Sequence, residues 1–269
     1  MLDNYTKPPL KLKFLTHEAF DFELFSKVIR GDLAVYMARN VLSLQYCREA
    51  TERFRNHPMK SSYQFRDPST PRIHVVGKSM YDYPTLGDYF AEAGKNQDAI
   101  DKVDGSLIPK LWETLRARFQ SNGLILRPLE KQGRQAVGAV WREWPKGALI
   151  HNDDFDIHDE EPDFSDRRVK GGRLSSFSFC ISQAEEGGDT VLYNQIPDGE
   201  DFEHRVGDYG FHPRVVENAP RLSFRANSGD AYIFNSTLLH EVKPVQGPTP
   251  RITRNTFCAQ KGKEILYWQ

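Results

Sequence analysis

From about residue 136 to the end of the chain the hydrophobic period is two, and this constrains the fold more than any other feature. The segments AVGAVWREW, RLSSFSFCIS, DTVLYN, RLSFRAN, DAYIFN, LLHEVKPV, RITRNTFCAQ and EILYW are short and rich in β-branched and aromatic residues. Gly, Pro, Asn or Asp separates them, as expected for strands joined by tight turns. Eight such strands in half a chain predict a sandwich, jelly roll or barrel.

The first half reads differently. Residues 33–38 (LAVYMA) form a β-suited run, after which Ser43 offers an N-cap for a helix through SLQYCREATERFRNH, ended by Pro58. Residues 72–76 read as a second strand. Helical stretches follow over 88–94 and 106–122, where Leu107, Leu111, Leu115 and Phe119 recur at four-residue steps on one face. The expected fold class is therefore α+β, one domain over residues 1–269. Residues 1–135 supply a mainly helical buttress and 136–269 a jelly-roll core. Residues 153–172 carry no periodicity and predict a long mobile loop over one end of it.

The bulk properties narrow the partners. A formal net charge of −1 provides no field for gripping phosphate backbones or anionic lipid, so neither nucleic acid nor membrane is expected. No apolar run approaches the ~20 residues needed to span a bilayer, and the first residues lack the order of a secretory signal. Cys47, Cys180 and Cys258 are odd in number and lack any C-x-x-C pair. They predict reduced thiols in a cytosolic protein, the last two inside strands. Oligomeric state is not legible.

The stretch ALIHNDDFDIHDEEPDF (residues 148–164) concentrates His and carboxylates. In a strand residues i and i+2 point the same way, so His151 and Asp153, after the apolar run ALI, present an imidazole and a carboxylate to one side. That is two-thirds of a 2-His-1-carboxylate facial triad, which binds Fe(II) and leaves positions open. Asp154 points to the other face of a regular strand. His158 and Glu160 repeat the spacing in a polar run and read as loop. A third ligand has to come from a distant segment, with His204, His212 and His240 as candidates. His240 sits on a strand after a tight turn through Asn235 and Ser236, the rigid support a ligand needs. Its bland alternative is a half-buried histidine bonded to backbone. Arg251 follows eleven residues later (251 − 240 = 11), with Thr253 on the same strand face. A guanidinium beside a hydroxyl makes a charge-assisted clamp for a carboxylate. Arg254 faces the opposite way and is expected in a surface ion pair.

These residues, His151-Asn152-Asp153, His240 and Arg251-Ile252-Thr253, resemble the H-x-D, distal His and R-x-[ST] pattern of the non-haem iron, 2-oxoglutarate-dependent oxygenases. GGDTVLYN, SGDAYIFN and the ending GKEILYWQ are similar to the branch containing welwitindolinone-type carbon halogenases and N-acyl amino acid hydroxylases. The likeness covers most of the second half. It implies a double-stranded β-helix, or jelly roll, holding Fe(II) on His151, Asp153 and His240. It also implies 2-oxoglutarate and O2 as cosubstrates, with Arg251 and Thr253 on the far carboxylate of the ketoacid. Halogenases of that branch carry a small residue where the carboxylate ligand would be. Asp153 therefore implies oxygen chemistry, with hydroxylation of a small amino acid, N-acyl amino acid or natural-product intermediate first, and desaturation or ring closure as alternatives.

Other residues have weaker signals. Arg142 is expected either to orient the ketoacid's C1 carboxylate or a substrate acid, or to pair with Glu143 or near Glu130. Tyr81 and Tyr83 are candidates for the pocket mouth, and Phe177, Phe179 and Tyr193 for core or pocket wall. The acidic run after His151 reads as a solvated lid, or as a selector of a cationic amine. A cupin-like protein that binds metal or a small molecule without turnover is the rival of another class, although it has no need of Arg251. A zinc hydrolase lacks an H-E-x-x-H motif.

Overall fold

The computed structural model describes residues 14–17, 20–131, 133–153 and 174–269. Asp154, His158, Glu160 and nearly all of the expected 153–172 loop therefore lie outside the described residues. Strands of three residues or more are β1 (Phe14–His17), β2 (Val35–Ala38), β3 (His74–Val76), β4 (Ile125–Pro128), β5 (Val140–Trp144), β6 (Ala148–His151) and β7 (Ser175–Ser182). They continue with β8 (Thr190–Tyr193), β9 (Arg221–Phe224), β10 (Ala231–Asn235), β11 (His240–Val242), β12 (Arg251–Lys261) and β13 (Glu264–Trp268). Four helices precede β4: α1 (Phe22–Arg30), α2 (Leu44–Arg55), α3 (Leu86–Asp104) and α4 (Leu107–Ser121).

Two sheets face each other. The larger runs β1-β2-β10-β7-β12-β5-β3, and β13 adds to the far half of β12 with β4 beside it. The smaller contains β6-β11-β8-β9 in that order. Four antiparallel strands of the first, β10-β7-β12-β5, opposed to four of the second make the expected jelly roll. All eight strand segments of the second half form strands, and Ser43 caps α2 by accepting from the Tyr46 amide at 3.1 Å. Cys180 and Cys258 lie buried in β7 and β12, as expected. No described helix is long and apolar enough to cross a membrane.

The helices cover the outer face of the large sheet. Phe25 on α1 meets Phe177 on β7 edge-on at 5.1 Å, Trp112 on α4 does so at 6.0 Å, and Phe179 joins the same core. Burying these rings supplies about 1.5–3 kcal/mol each, before the entropy of ordering them. Phe177 and Phe179 are thus core rather than pocket wall, and Tyr193 belongs to a separate small cluster with Ile150 and Phe211. On β7, Ser176 and Ser178 alternate with these phenylalanines and face inward. The period of two survives although both faces are buried, because the inner face is polar and lines a cavity.

Arg254 requires a correction. It was expected at the surface, yet it is only 3% exposed, because the end of α3 covers it on the outer face of β12. It donates from Nε and Nη2 to both oxygens of Asp104 at 2.7–3.0 Å, at the end of α3. Trp141 Nε1 donates to the same carboxylate at 2.8 Å. Breaking such a pair leaves a buried charge uncompensated, so Asp104→Ala is expected to cost about 3–5 kcal/mol. Urea denaturation with an unchanged m-value would measure it; a cost below 1 kcal/mol would contradict the reading.

Candidate functional site

β6 ends at His151 and β11 begins at His240, and the two are direct partners in an antiparallel pairing. Paired residues share a face, so both imidazoles point into the barrel, with ring centres 4.3 Å apart. Each ring has its Nδ1 against a carbonyl two residues back, Leu149 O at 2.7 Å and Leu238 O at 2.9 Å. A carbonyl only accepts, so Nδ1 must donate, which leaves each Nε2 with a free lone pair. Both Nε2 atoms face one carboxylate: Asp153 Oδ1 lies 3.8 Å from that of His151, and Oδ2 lies 3.7 Å from that of His240. The amide of Asp153 donates to Ser236 O at 2.9 Å, tying the residue after the strand to the turn before β11. Phe234 packs edge-on against His240 at 4.9 Å, and Tyr209 against His151 at 5.2 Å.

The ligand-type atoms of these three residues all lie within 4.8 Å of one another. Burial holds the His151 imidazole well below its ordinary 6.5, reinforced by His240 and Arg142. Burial pushes the Asp153 carboxyl above its ordinary value, opposed by His240 and Arg142. Two imidazoles and a buried carboxylate form a donor set that a divalent cation would complete. The three residues therefore fit Fe(II). The metal-free protein is expected to lose stability as pH falls below about 6.5: with its folded pKa lowered, His151 binds its proton more readily in the unfolded chain. Urea midpoints at pH 5.5 and 7.5 would reveal this.

These side chains open on a cavity of about 660 Å³, within the size range of small-molecule sites. Arg251, 3% exposed, lines it and donates from Nη2 to Tyr232 OH at 2.9 Å and to Thr190 Oγ1 at 3.3 Å. Its guanidinium lies over the Trp144 ring, 5.8 Å from the centre. Among the described residues it has no carboxylate partner. Gly188 makes room for it, since a Cβ there would stand 3.1 Å from Arg251 Cδ. Thr253 shares the strand face, but its hydroxyl accepts from Trp144 Nε1 at 2.9 Å and donates to Asn255 Oδ1 at 2.7 Å. The hydroxyls on Arg251 are instead those of Thr190 and Tyr232, which sequence reasoning missed.

Arg142 also lines the cavity, donating from Nε to Tyr63 OH at 3.2 Å and from Nη2 to Gln269 Oε1 at 2.9 Å. The alternative pairing with Glu143 is not formed, because that carboxylate takes Lys60 at 2.7 Å. Tyr81 lines the cavity, whereas the Tyr83 hydroxyl accepts from Asn96 at 2.7 Å. His204 packs on Arg214, and His212 caps a short helical turn at Pro213–Val216. Neither joins the cluster.

A family model described as the carrier-protein-independent halogenase WelO5 matches residues 21–269. The chain belongs to the WelO5 family. The L-isoleucine 3(1)-dioxygenase of Pantoea ananatis is similar, 23% identical over 250 residues, covering 87% of this chain and 83% of that protein. The L-gamma-glutamyl-L-propargylglycine hydroxylase of Streptantibioticus cattleyicolor is 25% identical over 223 residues, covering 79% and 75%. A crystal structure of an N-substituted L-amino acid dioxygenase from Burkholderia ambifaria is similar with a TM-score of 0.60 at 12% identity, covering 92% of this chain and 91% of that one. That likeness is one of fold, and it extends the jelly roll to the helical half of this WelO5-family chain.

Proposed function

We propose that this WelO5-family chain is a non-haem Fe(II), 2-oxoglutarate-dependent dioxygenase that hydroxylates an unactivated C–H bond of a small amino acid or a derivative of one. One observation carries the reading: a two-histidine, one-carboxylate cluster and a buried arginine without a carboxylate partner among the described residues open on the same cavity. The names of both curated relatives, an isoleucine dioxygenase and a propargylglycine-dipeptide hydroxylase, support the substrate class.

Bound Fe(II) would supply the oxidising chemistry, in which 2-oxoglutarate, O2 and R–H give succinate, CO2 and R–OH. His151, Asp153 and His240 would hold the metal, and the two Nδ1–carbonyl bonds fix which nitrogen each ring presents. Arg251 would hold the far carboxylate of 2-oxoglutarate, with the Tyr232 and Thr190 hydroxyls aligning its guanidinium. Asp153 would supply the metal a carboxylate where the halogenases it resembles carry a small residue, which favours hydroxylation over halogenation in this member of the family. Trp144, Val75 and Val242 wall the cavity with apolar surface and limit water around the reacting carbon.

Adding 2-oxoglutarate to the anaerobic Fe(II) protein is expected to produce a visible charge-transfer band. Admitting O2 with a substrate should yield succinate and a product heavier by one oxygen. A protein that merely binds metal would show no ketoacid-dependent band, and that result would overturn the reading.

A further inference from the structure

The cavity holds a second charged pair that the metal and the ketoacid leave unused. Arg142 projects from β5 with Nε and Nη2 on neutral partners, Tyr63 OH and the Gln269 amide oxygen. Its Nη1 makes no hydrogen bond, and the side chain has no ion pair, among the described residues. Asp82 lines the same cavity, on the short helical turn Met80–Asp82. One carboxylate oxygen accepts the Ser79 amide at 2.7 Å, closing a capping box. The other makes no hydrogen bond among the described residues, and Asp82 likewise forms no ion pair there. Lys78, its neighbour, lies over the Tyr83 ring 5.5 Å from the centre and pairs with neither group.

Arg142 and Asp82 line one cavity yet stand farther apart than an ion pair. A cation and an anion that face one cavity across a gap are poorly solvated and poorly paired. That state is costly unless a ligand of matching charge bridges it. A free α-amino acid is such a ligand: its carboxylate suits a guanidinium with an open N–H edge, and its ammonium suits a carboxylate with an open oxygen. Charges balance, since a neutral zwitterion enters and two half-satisfied groups become paired. Arg142, His151 and Asp153 line the same cavity, so an acid held on Arg142 shares it with the metal-binding cluster. Ile73, Val75, Trp144, Phe234 and Val242 add an apolar stretch to the wall of the cavity, which suits an aliphatic side chain. Arg251 is the better ketoacid anchor of the two arginines because it is buried deeper and its hydroxyl partners come from barrel strands.

We propose that Arg142 and Asp82 recognise the carboxylate and the ammonium of a free aliphatic L-amino acid, so that the substrate is a zwitterion rather than an N-acylated acid. This rests on the oxygenase reading above and narrows it.

The test uses L-isoleucine, L-leucine and L-valine, each also as its N-acetyl derivative and its methyl ester, with the Fe(II), 2-oxoglutarate-loaded protein. Binding is read anaerobically as perturbation of the visible band, and turnover as product mass. Free amino acids are expected to bind and to gain oxygen. Each blocked derivative should lose about 10- to 100-fold, the scale of one charge-assisted hydrogen bond. Asp82→Asn should collapse the ratio between free and N-acetyl forms, and Arg142→Gln that between free acid and ester, with Arg142→Lys restoring part of the latter. A residue that only supports the fold would lower all substrates together and leave the ratios intact. Three results overturn the proposal: N-acetyl forms preferred, a loss of 2-oxoglutarate affinity in Arg142→Gln comparable with its loss of amino acid affinity, or a ketoacid band with no response to any free amino acid. The last leaves the oxygenase reading standing, whereas absence of the band defeats that reading first.

Discussion

His240→Ala is expected to abolish succinate formation, a loss of roughly three orders of magnitude or more, the scale that follows when metal-centred stabilisation of several kcal/mol is removed. The imidazole is 4% exposed, its Nδ1 is oriented by Leu238 O, and its Nε2 faces the carboxylate of Asp153. Among the described residues no neighbouring group supplies a replacement: the other close imidazole is that of His151, already committed to the same cluster. Asp153→Ala should act similarly, because two imidazoles alone provide neither the third donor nor the negative charge. Metal content and the ketoacid-dependent band should fall together in both variants. His212→Ala, on the exposed turn before Pro213, serves as the control and should leave turnover and metal content unchanged. Wild-type succinate formation in His240→Ala would remove the ligand assignment.

The second-half strands were legible because an alternating pattern over several residues has few other interpretations, and the capped helix at Ser43 because a hydroxyl ahead of a helical run has a defined job. Helix α1 was not expected, although Asp21 caps it and accepts the Leu24 amide at 3.0 Å. Its nine residues are too few for periodicity to stand out. Helix α3 runs well past residue 94 because Gly94, which reads locally as a stop, is tolerated inside a helix fixed by packing at both ends. Arg254 was misplaced for a related reason: alternation says which face a residue takes, but not that helices cover that face. At the site, the resemblance to the oxygenase motifs brought His151, Asp153, His240 and Arg251 together on paper, while spacing alone reached only the His151 and Asp153 pair and the Arg251 and Thr253 pair. The partners of Arg251 escaped notice, since Thr190 and Tyr232 sit on other strands and only sheet register brings them near. Tyr63 and Asp82 come from irregular segments of the helical half, where no period points a side chain anywhere.

Replacing Arg251 by methionine is expected to separate ketoacid binding from folding, with opposite signs. In the ligand-free protein the guanidinium is buried against two hydroxyls and an indole, with no carboxylate among the described residues. Desolvating a charge without a counter-ion costs several kcal/mol, and an apolar side chain of similar length avoids that cost. The metal-loaded, ketoacid-free variant should therefore melt at the wild-type temperature or a few degrees above it. Saturating 2-oxoglutarate is expected to stabilise the wild type by about 2.7 kcal/mol at a hundredfold excess over Kd, some 5–10 °C for a chain of this size. The variant should gain almost nothing, because losing a buried charge pair lowers affinity by roughly 10²- to 10³-fold. Arg251→Lys should fall between, since an ammonium supplies the charge but cannot form the two parallel bonds of a guanidinium. Thermal melts with and without 2-oxoglutarate decide the matter: equal stabilisation of wild type and Arg251→Met would place the far carboxylate somewhere else in the cavity.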